Sequence, residues 1–421
     1  MIAYENTLNF AQNIDNQDSL KKFRDYFFIP QHQNKDVVYL CGNSLGLQPK
    51  GVLEAIQKEL TKWGKFGVEG HFEGEQAWWQ FRKPLKPLVA SLLGANSSEV
   101  TIMNNLTTNL HLMLVSFYRP VGKRTKIIME AGAFPSDQYA LETHLISRSI
   151  NPQENIIEIS PRAGEHTLRT EDILQTIENV GDELALVLFG GVNYYTGQAF
   201  EMDKITQKGH AVGAVVGFDL AHAIGNLPLH LSAWEVDFAV WCSYKYLNSS
   251  PGGVSGVFIH QKHHQSNLPR FGGWWGQIEE ERFLMQKGFK PIPEADGWQL
   301  SNEPILPMAV HQVSLEIFKE AGFDNLVEKS KRLTGYLYYL LTTEAKEYIE
   351  IITPSEQSHR GCQLSLFAKK DGKKLHQYLT NQGIITDWRE PNVIRMAPVP
   401  LYNTFEDVYR AANSVIHFYK S

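Results

Sequence analysis

An aspartate and a lysine each follow a short apolar run near the middle of the chain. Asp219 directly follows the run Val212–Phe218, and Lys245 lies between two tyrosines after the run Phe238–Trp241. Runs of this length and composition are typical of strands buried on both faces of a parallel sheet. Ligands bind beyond the carboxyl ends of such strands. We therefore expect the two side chains to converge on one bound molecule.

This pair of side chains matches what pyridoxal 5'-phosphate (PLP) chemistry needs. A lysine amine forms a Schiff base with an aldehyde, and a carboxylate beside a pyridine nitrogen lets the ring act as an electron sink. His222 lies three residues after Asp219, and it either orients that carboxylate or stacks near the ring. Ordinary interpretations stay open as well, because a strand-end aspartate often caps a helix and most lysines are exposed.

A phosphate site is indicated at residues 103–109, Met-Asn-Asn-Leu-Thr-Thr-Asn, which precede an apolar pattern at helical spacing. Free backbone N–H groups and the helix dipole bind phosphate at a helix N-terminus. Asn and Thr are also common helix caps, so the pattern by itself equally fits a plain helix start.

Helical and strand patterns alternate through most of the chain, which favours an α/β fold. Residues 52–63 have helical spacing, and Leu184–Phe189 is a further buried-strand run. The tail differs, since a long helical pattern from Val310 resumes at Leu333 and is followed by shorter strand and helix patterns. These shorter patterns are the strands Gln363–Phe367 and Val393–Met396 and the helices Leu375–Leu379 and Val408–Ile416.

Three parts of the chain follow from these patterns. Residues 1–50 are expected to form an N-terminal arm that belongs to the small domain. Residues 51–309 are expected to form a large domain with a mainly parallel central sheet flanked by helices, and residues 310–421 a smaller α+β domain.

Composition excludes several classes of protein. The net charge is −6 and bases are not clustered, so nucleic acid is not an expected partner. No run of about 18 apolar residues predicts a membrane span, and the polar N-terminus lacks a signal-peptide pattern, so we expect a cytoplasmic protein. The three widely spaced cysteines predict neither disulfides nor a metal site, and they are interpreted as small core residues: Cys41, Cys242 and Cys362.

The chain resembles the kynureninase family along nearly its whole length, from Leu40 to Asn403. The blocks at 219–222 and 244–248 alone would indicate only the wider aminotransferase-like superfamily, which includes cysteine desulfurases. The opening arm, the Trp-Trp block and the closing Arg block are specific to kynureninases. The similar blocks are residues 40–49, 105–107, 134–137, 219–222, 244–248, 272–276, 301–304 and 395–403.

The resemblance implies a PLP-dependent transferase-like fold and a homodimer with an amino-acid substrate. It implies hydrolytic cleavage of the Cβ–Cγ bond of L-kynurenine or 3-hydroxy-L-kynurenine. The products would be anthranilate or 3-hydroxyanthranilate together with L-alanine, a reaction of tryptophan catabolism by the kynurenine pathway and of NAD biosynthesis.

The resemblance also implies roles at matching positions. Lys245 would be the Schiff-base lysine, Asp219 would face the pyridine nitrogen, and Tyr244 would bond the phosphate and donate a proton. Arg395 would bind the substrate α-carboxylate, which suits the guanidinium fork. The other cofactor positions would be Leu106 and Thr107 at the phosphate, Phe134 on the ring, Asp137 and His222 beside it, and Trp274 and Asn302 from the second subunit.

The aryl ring of the substrate would be lined by Ser44, His71 and Asn302. A polar pocket rewards a ring hydroxyl, so we expect 3-hydroxykynurenine to be accepted at least as well as kynurenine. Gln277 departs from the family pattern, which has His after the Gly-Trp-Trp-Gly block, and the contribution of this position is left open.

Structural interpretations compete with several of these roles. Trp274 and Trp275 would also suit an aromatic core, Asn302 a turn cap, and Arg395 an internal salt bridge. Two other functions also remain open: a desulfurase or transaminase of the same superfamily, and a PLP-binding sensor without catalysis. A desulfurase needs a nucleophilic cysteine in a mobile late loop, and Cys362 instead opens a strand pattern.

Overall fold

Strands and helices alternate along the chain in this computed structural model, which describes residues 3–420. The helices are α1 Leu8–Gln17, α2 Val52–Phe66, α3 Lys86–Leu93, α4 Leu106–Phe117, α5 Pro135–Ser147, α6 Pro152–Asn155, α7 Thr170–Val180, α8 Met202–Ala211, α9 Ile305–Ala321, α10 Phe323–Glu344, α11 Gly372–Asn381 and α12 Phe405–Lys420. The strands are β1 Gln31–His32, β2 Lys35–Asp36, β3 Val38–Tyr39, β4 Val100–Ile102, β5 Lys126–Glu130, β6 Ile156–Ile159, β7 Leu184–Gly190, β8 Val215–Asp219, β9 Phe238–Cys242, β10 Ser255–Ile259, β11 Ile349–Ile351, β12 Leu364–Ala368, β13 Ile384–Ile385, β14 Asp387–Arg389 and β15 Val393–Met396.

The larger sheet has seven strands in the order β4-β10-β9-β8-β7-β5-β6. Its pairs from β9 to β6 are parallel, and β10 runs antiparallel to both of its neighbours. The predicted α/β class with a mainly parallel sheet is confirmed. Because parallel strands end at one edge, Glu130, Gly190, Asp219 and Cys242 are brought to the same side of the sheet.

Side chains alternate between two apolar layers on the faces of this sheet. On β7, Val187 and Phe189 pack with α8 and α9 on one face, and Leu186 and Leu188 pack with α4 and α5 on the other. Both faces are covered, as parallel sheets require. This explains why the central strands are apolar throughout.

One predicted strand begins later than its apolar run suggests. The run Val212–Phe218 was expected to be a strand from its first residue, but β8 begins at Val215. Val212 is the C-cap of α8, and Gly213 follows it with a φ of +78°. The left-handed glycine turns the chain from helix to strand, so the first apolar residues of the run belong to the turn.

The smaller antiparallel sheet has the order β11-β12-β15-β14 and packs with α10, α11 and α12 around a second apolar core. The N-terminal region joins this part of the molecule, since β3 pairs with β13 and α1 packs against α12. The expected division of the chain into residues 1–50, 51–309 and 310–421 stays a prediction. Within residues 3–420, no helix is both long and apolar enough to cross a membrane.

Candidate active site

A cavity of about 510 Å³, including space open to solvent, lies at the carboxyl edge of the larger sheet. Eight residues that the sequence assigned to the cofactor line this cavity: Leu106, Thr107, Phe134, Asp137, Asp219, His222, Tyr244 and Lys245. They come from strand ends and from the first turns of α4 and α5. The fold therefore brings together side chains that are up to 139 positions apart in the sequence.

Lys245 lies in the turn that follows β9 and is only 9% exposed. Its Nζ is 3.1 Å from His222 Nε2 and 5.7 Å from the centre of the Phe134 ring. The N-terminal arm closes on this turn, because the Gly46 N–H donates to the Tyr244 carbonyl over 2.8 Å. A side chain at Gly46 would collide with the backbone of Lys245, which explains glycine there.

Two aspartates share the cavity with this lysine. Asp219 ends β8, and its Oδ1 accepts a 2.7 Å hydrogen bond from the Ala221 N–H. Burial raises the pKa of Asp219, and the charge of Lys245 opposes that rise. Burial and the neighbouring charge of Asp219 raise the pKa of Asp137 well above its usual range. At neutral pH, Asp137 therefore holds a proton more readily than an exposed aspartate does.

Glu130 is a cavity residue that the sequence interpretation missed. It ends β5, and its carboxylate accepts hydrogen bonds from Asn193 Nδ2 at 2.7 Å and from the Gly190 N–H at 3.3 Å. Burial raises its pKa to about 7. Glu130 follows an apolar run just as Asp219 does, so the same rule of strand ends would have found it.

The N-terminus of α4 forms one wall of the cavity. Asn105 caps it, since its Oδ1 accepts from the Thr108 N–H at 3.2 Å. This confirms the predicted helix start. The first-turn N–H groups of Leu106 and Thr107 have no partner within their own helix and are suited to phosphate oxygens. Tyr244 lines the cavity as well, and burial raises the pKa of its hydroxyl, which keeps its proton at neutral pH.

The residues present fit PLP. Asp137 Oδ1 and His222 Nδ1 are buried at this cavity without a hydrogen-bond partner among residues 3–420. Each such buried group costs about 1–3 kcal/mol, which a polar ligand recovers by bonding to it. Lys245 supplies an amine, Asp219 a carboxylate and α4 an anion-binding end. This set of donors matches the aldehyde, ring nitrogen and phosphate of the cofactor.

Arg395 lies on β15 beside the cavity and is 1% exposed. Its Nη1 donates to the Tyr194 carbonyl at 2.6 Å, and Tyr194 lines the cavity. Its Nη2 contacts Ser44 Oγ at 3.1 Å and the carboxylate of Asp387. The internal salt bridge that the sequence left open is therefore present. Ser44, a predicted substrate residue, is thus in contact with Arg395. The contacts of Arg395 with Asp387 and Tyr194 were not indicated by the sequence pattern.

Three predicted residues neither line the cavity of their own chain nor contact Arg395. Trp274 is partly exposed, and its Nε1 donates to the Arg282 carbonyl at 3.0 Å. Asn302 is exposed at the surface. His71 Nδ1 lies 3.0 Å from the Val68 carbonyl. Their assignment to cofactor and substrate stays a prediction, which for Trp274 and Asn302 involves the site of a second subunit.

Gln277, the departure from the family pattern, has a structural contact. Its Oε1 accepts a 2.7 Å hydrogen bond from the Lys290 N–H. The backbones of residues 277 and 291 also form an isolated antiparallel bridge. The side chain therefore helps to close the loop between them.

Solved structures with a similar fold include one with a PLP cofactor and one of a cysteine desulfurase. The C-DES mutant with glycine covalently linked to the PLP cofactor has a TM-score of 0.75 and 18% identity, over 90% of this chain and 96% of that one. The apo cysteine desulfurase from Thermococcus onnurineus NA1 has a TM-score of 0.76 and 16% identity, over 91% and 95%. At such identities the likeness concerns the fold alone. Fold and cavity together define a PLP-dependent enzyme of the aminotransferase-like class.

Sequence relatives narrow this class to one family. Kynureninase from Flavobacterium psychrophilum is 54% identical over 412 residues, which are 97% of each chain. Kynureninase from Myxococcus xanthus is 51% identical over 409 residues, which are 97% of this chain and 96% of that one. The family described as kynureninase C-terminal domain matches residues 326–415. The chain belongs to the kynureninase family and is a PLP-dependent hydrolase.

Proposed function

We propose that this chain hydrolyses L-kynurenine, 3-hydroxy-L-kynurenine or both at the Cβ–Cγ bond, releasing an anthranilate and L-alanine. One observation carries the proposal: Tyr194 lines the same cavity as Lys245, and its carbonyl accepts a hydrogen bond from the Arg395 guanidinium, so the arginine lies beside the lysine's cavity. An amino acid whose carboxylate is held by the arginine presents its amine and Cα toward the lysine. Kynureninase relatives about half identical over the whole chain support the same reaction.

Bound PLP supplies the electron sink that lets bonds at the substrate Cα and Cβ break. Lys245 would hold the aldehyde of PLP and, as a free amine, would accept the Cα proton of the substrate. Its neighbour His222 stays neutral, because burial and then the charge of Lys245 lower the His222 pKa well below its usual range. Neutral His222 Nε2 accepts from the lysine amine and directs it.

Two further side chains have roles in the reaction, one at the cofactor ring and one as a proton donor. Asp219 would lie at the ring nitrogen of PLP and would keep that nitrogen protonated. Tyr244 keeps its proton at neutral pH, since burial raises its pKa, and it donates that proton to the three-carbon fragment that leaves as alanine. Water attacks the γ-carbonyl, which releases the anthranilate.

A homodimer in the cytoplasm is the proposed working form, with Trp274 and Asn302 of each subunit approaching the cavity of the other. Their position outside their own cavity supports this arrangement. Exposed apolar side chains supply a contact surface near Trp274, namely Phe283, Leu284 and Met285.

For the substrate ring, we propose that 3-hydroxykynurenine is used at least as well as kynurenine. Ser44, His71 and Asn302 are the polar residues assigned to the ring. Ser44 Oγ accepts a hydrogen bond from Arg395 Nη2, whereas His71 and Asn302 would come from the partner subunit. Comparing kcat/KM for the two substrates tests this, and a strong preference for kynurenine contradicts it.

A cysteine desulfurase is the nearest alternative activity. The late cysteine, Cys362, is buried just before β12, and burial raises the pKa of its thiol to about 12. A thiol in this state is a poor nucleophile. The structure therefore favours hydrolysis of a carbon–carbon bond over sulfur transfer.

The first test is anthranilate fluorescence after L-kynurenine is added to PLP-loaded protein, with 3-hydroxykynurenine followed by absorbance. We expect turnover of at least one substrate and a loss of about 1,000-fold or more in Lys245→Ala. Lys123→Ala, which changes an exposed lysine, is the matched control and should match the wild type. Cofactor binding without turnover of either substrate would leave the sensor and transaminase functions and overturn the proposal.

A further inference from the structure

Three charged side chains lie together on the neighbouring strands β14 and β15. Asp387 is the direct cross-strand partner of Arg395 in this antiparallel pair. Its carboxylate contacts Arg395 and also lies 3.2 Å from Nη2 of Arg389. One carboxylate therefore links two guanidinium groups.

Asp387 already balances the charge of Arg395. The strand pairing places the two residues directly opposite each other, and Asp387 contacts both arginines, so it stays the counter-ion of Arg395 when a substrate arrives. Arg395 is also fixed by the Tyr194 carbonyl. A substrate carboxylate that bound to this neutral pair would bring one unbalanced negative charge into a buried site, which is costly.

Arg389 supplies the missing positive charge. With both arginines, the Asp387 carboxylate and one substrate carboxylate, the site is neutral. The Nε of Arg389 is buried without a hydrogen-bond partner among the described residues, and so is the Nε of Arg395. Two N–H groups of the pair are thus available to a ligand.

The charge of Arg389 also reaches the cofactor cavity. Burial and the charge of Lys245 are the main causes that lower the pKa of His222, and the charges of Arg395 and Arg389 follow in that order. In the structure, Arg389 is linked to the cavity through Asp387 and Arg395, since Arg395 donates to the carbonyl of the cavity residue Tyr194; the Arg389 side chain itself is 38% exposed.

We propose that Arg389 is a second substrate-carboxylate residue and determines specificity for amino acids, while Asp387 is a positioning residue that ties the two guanidinium groups together. This inference rests on the proposed function for its substrate. The binding of an α-carboxylate requires the positive charges of both arginines, and this requirement applies to any amino acid that enters the cavity.

Arg389→Gln tests the proposal, because it removes the charge and keeps a polar side chain. We expect KM for the kynurenine substrate to rise about tenfold or more, as for a lost charged hydrogen bond, with a smaller change in kcat. The Kd of L-alanine, followed by the visible absorbance of PLP-loaded protein, should rise by a similar factor. Binding of 2-aminoacetophenone, which has the aryl ketone without the α-carboxylate, should be unchanged.

Two more variants make the result decisive. Arg389→Lys keeps the charge and should retain most of the L-alanine affinity. Lys373→Gln removes an exposed cation that pairs with Glu390 beside the same strands, and it should match the wild type. L-alanine affinity in Arg389→Gln within twofold of wild type, or equal weakening by the Lys and Gln variants, would overturn the inference. L-alanine binding is measured without turnover, so failure of the proposed reaction is recognised separately.

Discussion

Burial sets different proton affinities for the acidic side chains that meet in the cofactor cavity. The charge of Lys245 is the main influence that opposes the raised pKa of Asp219, whereas the charge of Asp219 adds to the raised pKa of Asp137. Glu130 accepts only neutral hydrogen bonds, from an amide side chain and a backbone N–H. At the residue scale, the surroundings of each carboxyl, rather than its type, therefore decide its charge.

Wild-type protein is expected to lose stability as the pH rises and Glu130 ionises, and the Glu130→Gln variant is expected to lack this loss. Burial raises the folded-state pKa of Glu130 from 4.5 to about 7. The stability from this proton is fully present below the unfolded-state pKa and is lost as the pH rises through 7. Between pH 5 and 7, wild type should lose about 2–3 kcal/mol more than the variant, at about 1.4 kcal/mol per pH unit.

Urea unfolding of cofactor-free protein at several pH values measures this difference. Glu54→Gln, a change at an exposed glutamate on α2, is the matched control and should follow the wild type. Parallel pH curves for wild type and Glu130→Gln would show that the carboxyl is already ionised in the folded protein.

At the element scale, one irregular segment contains two of the predicted site residues. Ion pairs hold this segment against the rest of the protein. Trp274 and Asn302 lie in the stretch 272–303, which contains only short 3-10 turns among its described elements. Arg82, 1% exposed, donates to Glu303 at 2.9 Å and to Asp296 at 3.2 Å, and both acids belong to this stretch. Arg82 also donates to Glu279 at 3.0 Å, so the arginine contacts the stretch near both of its ends.

Arg82→Met should therefore destabilise the protein by about 3–5 kcal/mol, because it leaves the buried Glu303 carboxylate without its cationic partner, whereas Asp296 keeps Lys86. Urea unfolding measures the loss, and limited proteolysis should show earlier cleavage within 272–303. Lys83→Met is the matched control, since Lys83 pairs with Glu279 at the surface and should contribute below about 1 kcal/mol. Equal unfolding midpoints for the two variants would show that Arg82 does not anchor the segment.

At the scale of the whole molecule, several apolar side chains face outward. Leu53, Leu60 and Trp63 have the helical spacing noted in the sequence, but on α2 they are exposed. With the apolar side chains at 283–285, they are further candidates for burial in the proposed homodimer. An isolated chain of this family would leave both groups in water.

Shared sites predict complementation. Mixing Lys245→Ala with Trp274→Ala should give heterodimers with one intact site, formed by Lys245 of one subunit and Trp274 of the other, and about half the wild-type activity per heterodimer. Refolded mixtures are assayed after heterodimers are isolated with two affinity tags. Lys245→Ala with Asp219→Asn is the control and should stay inactive, because both residues line one cavity. Inactive Lys245→Ala/Trp274→Ala heterodimers would place Trp274 outside the partner's site.

The sequence by itself determined the elements and much of the cavity. Apolar runs and the residues after them are local features, so the bounds of β15 were predicted directly, the ends of β8 and β9 to within one residue, and a helix start was predicted in the region where α4 begins. The family blocks then assigned roles to Lys245, Asp219 and Arg395. Such features need only neighbours in the chain, because strand ends and helix caps are set by adjacent residues.

Only the tertiary structure decided which distant groups compensate one another. Asp387 and Ser44, which both contact Arg395, come from parts of the chain that no local pattern connects to it. The raised pKa of Glu130 likewise depends on burial by other elements. Burial and long-range pairing are properties of the packed molecule, since they arise from residues brought together by folding.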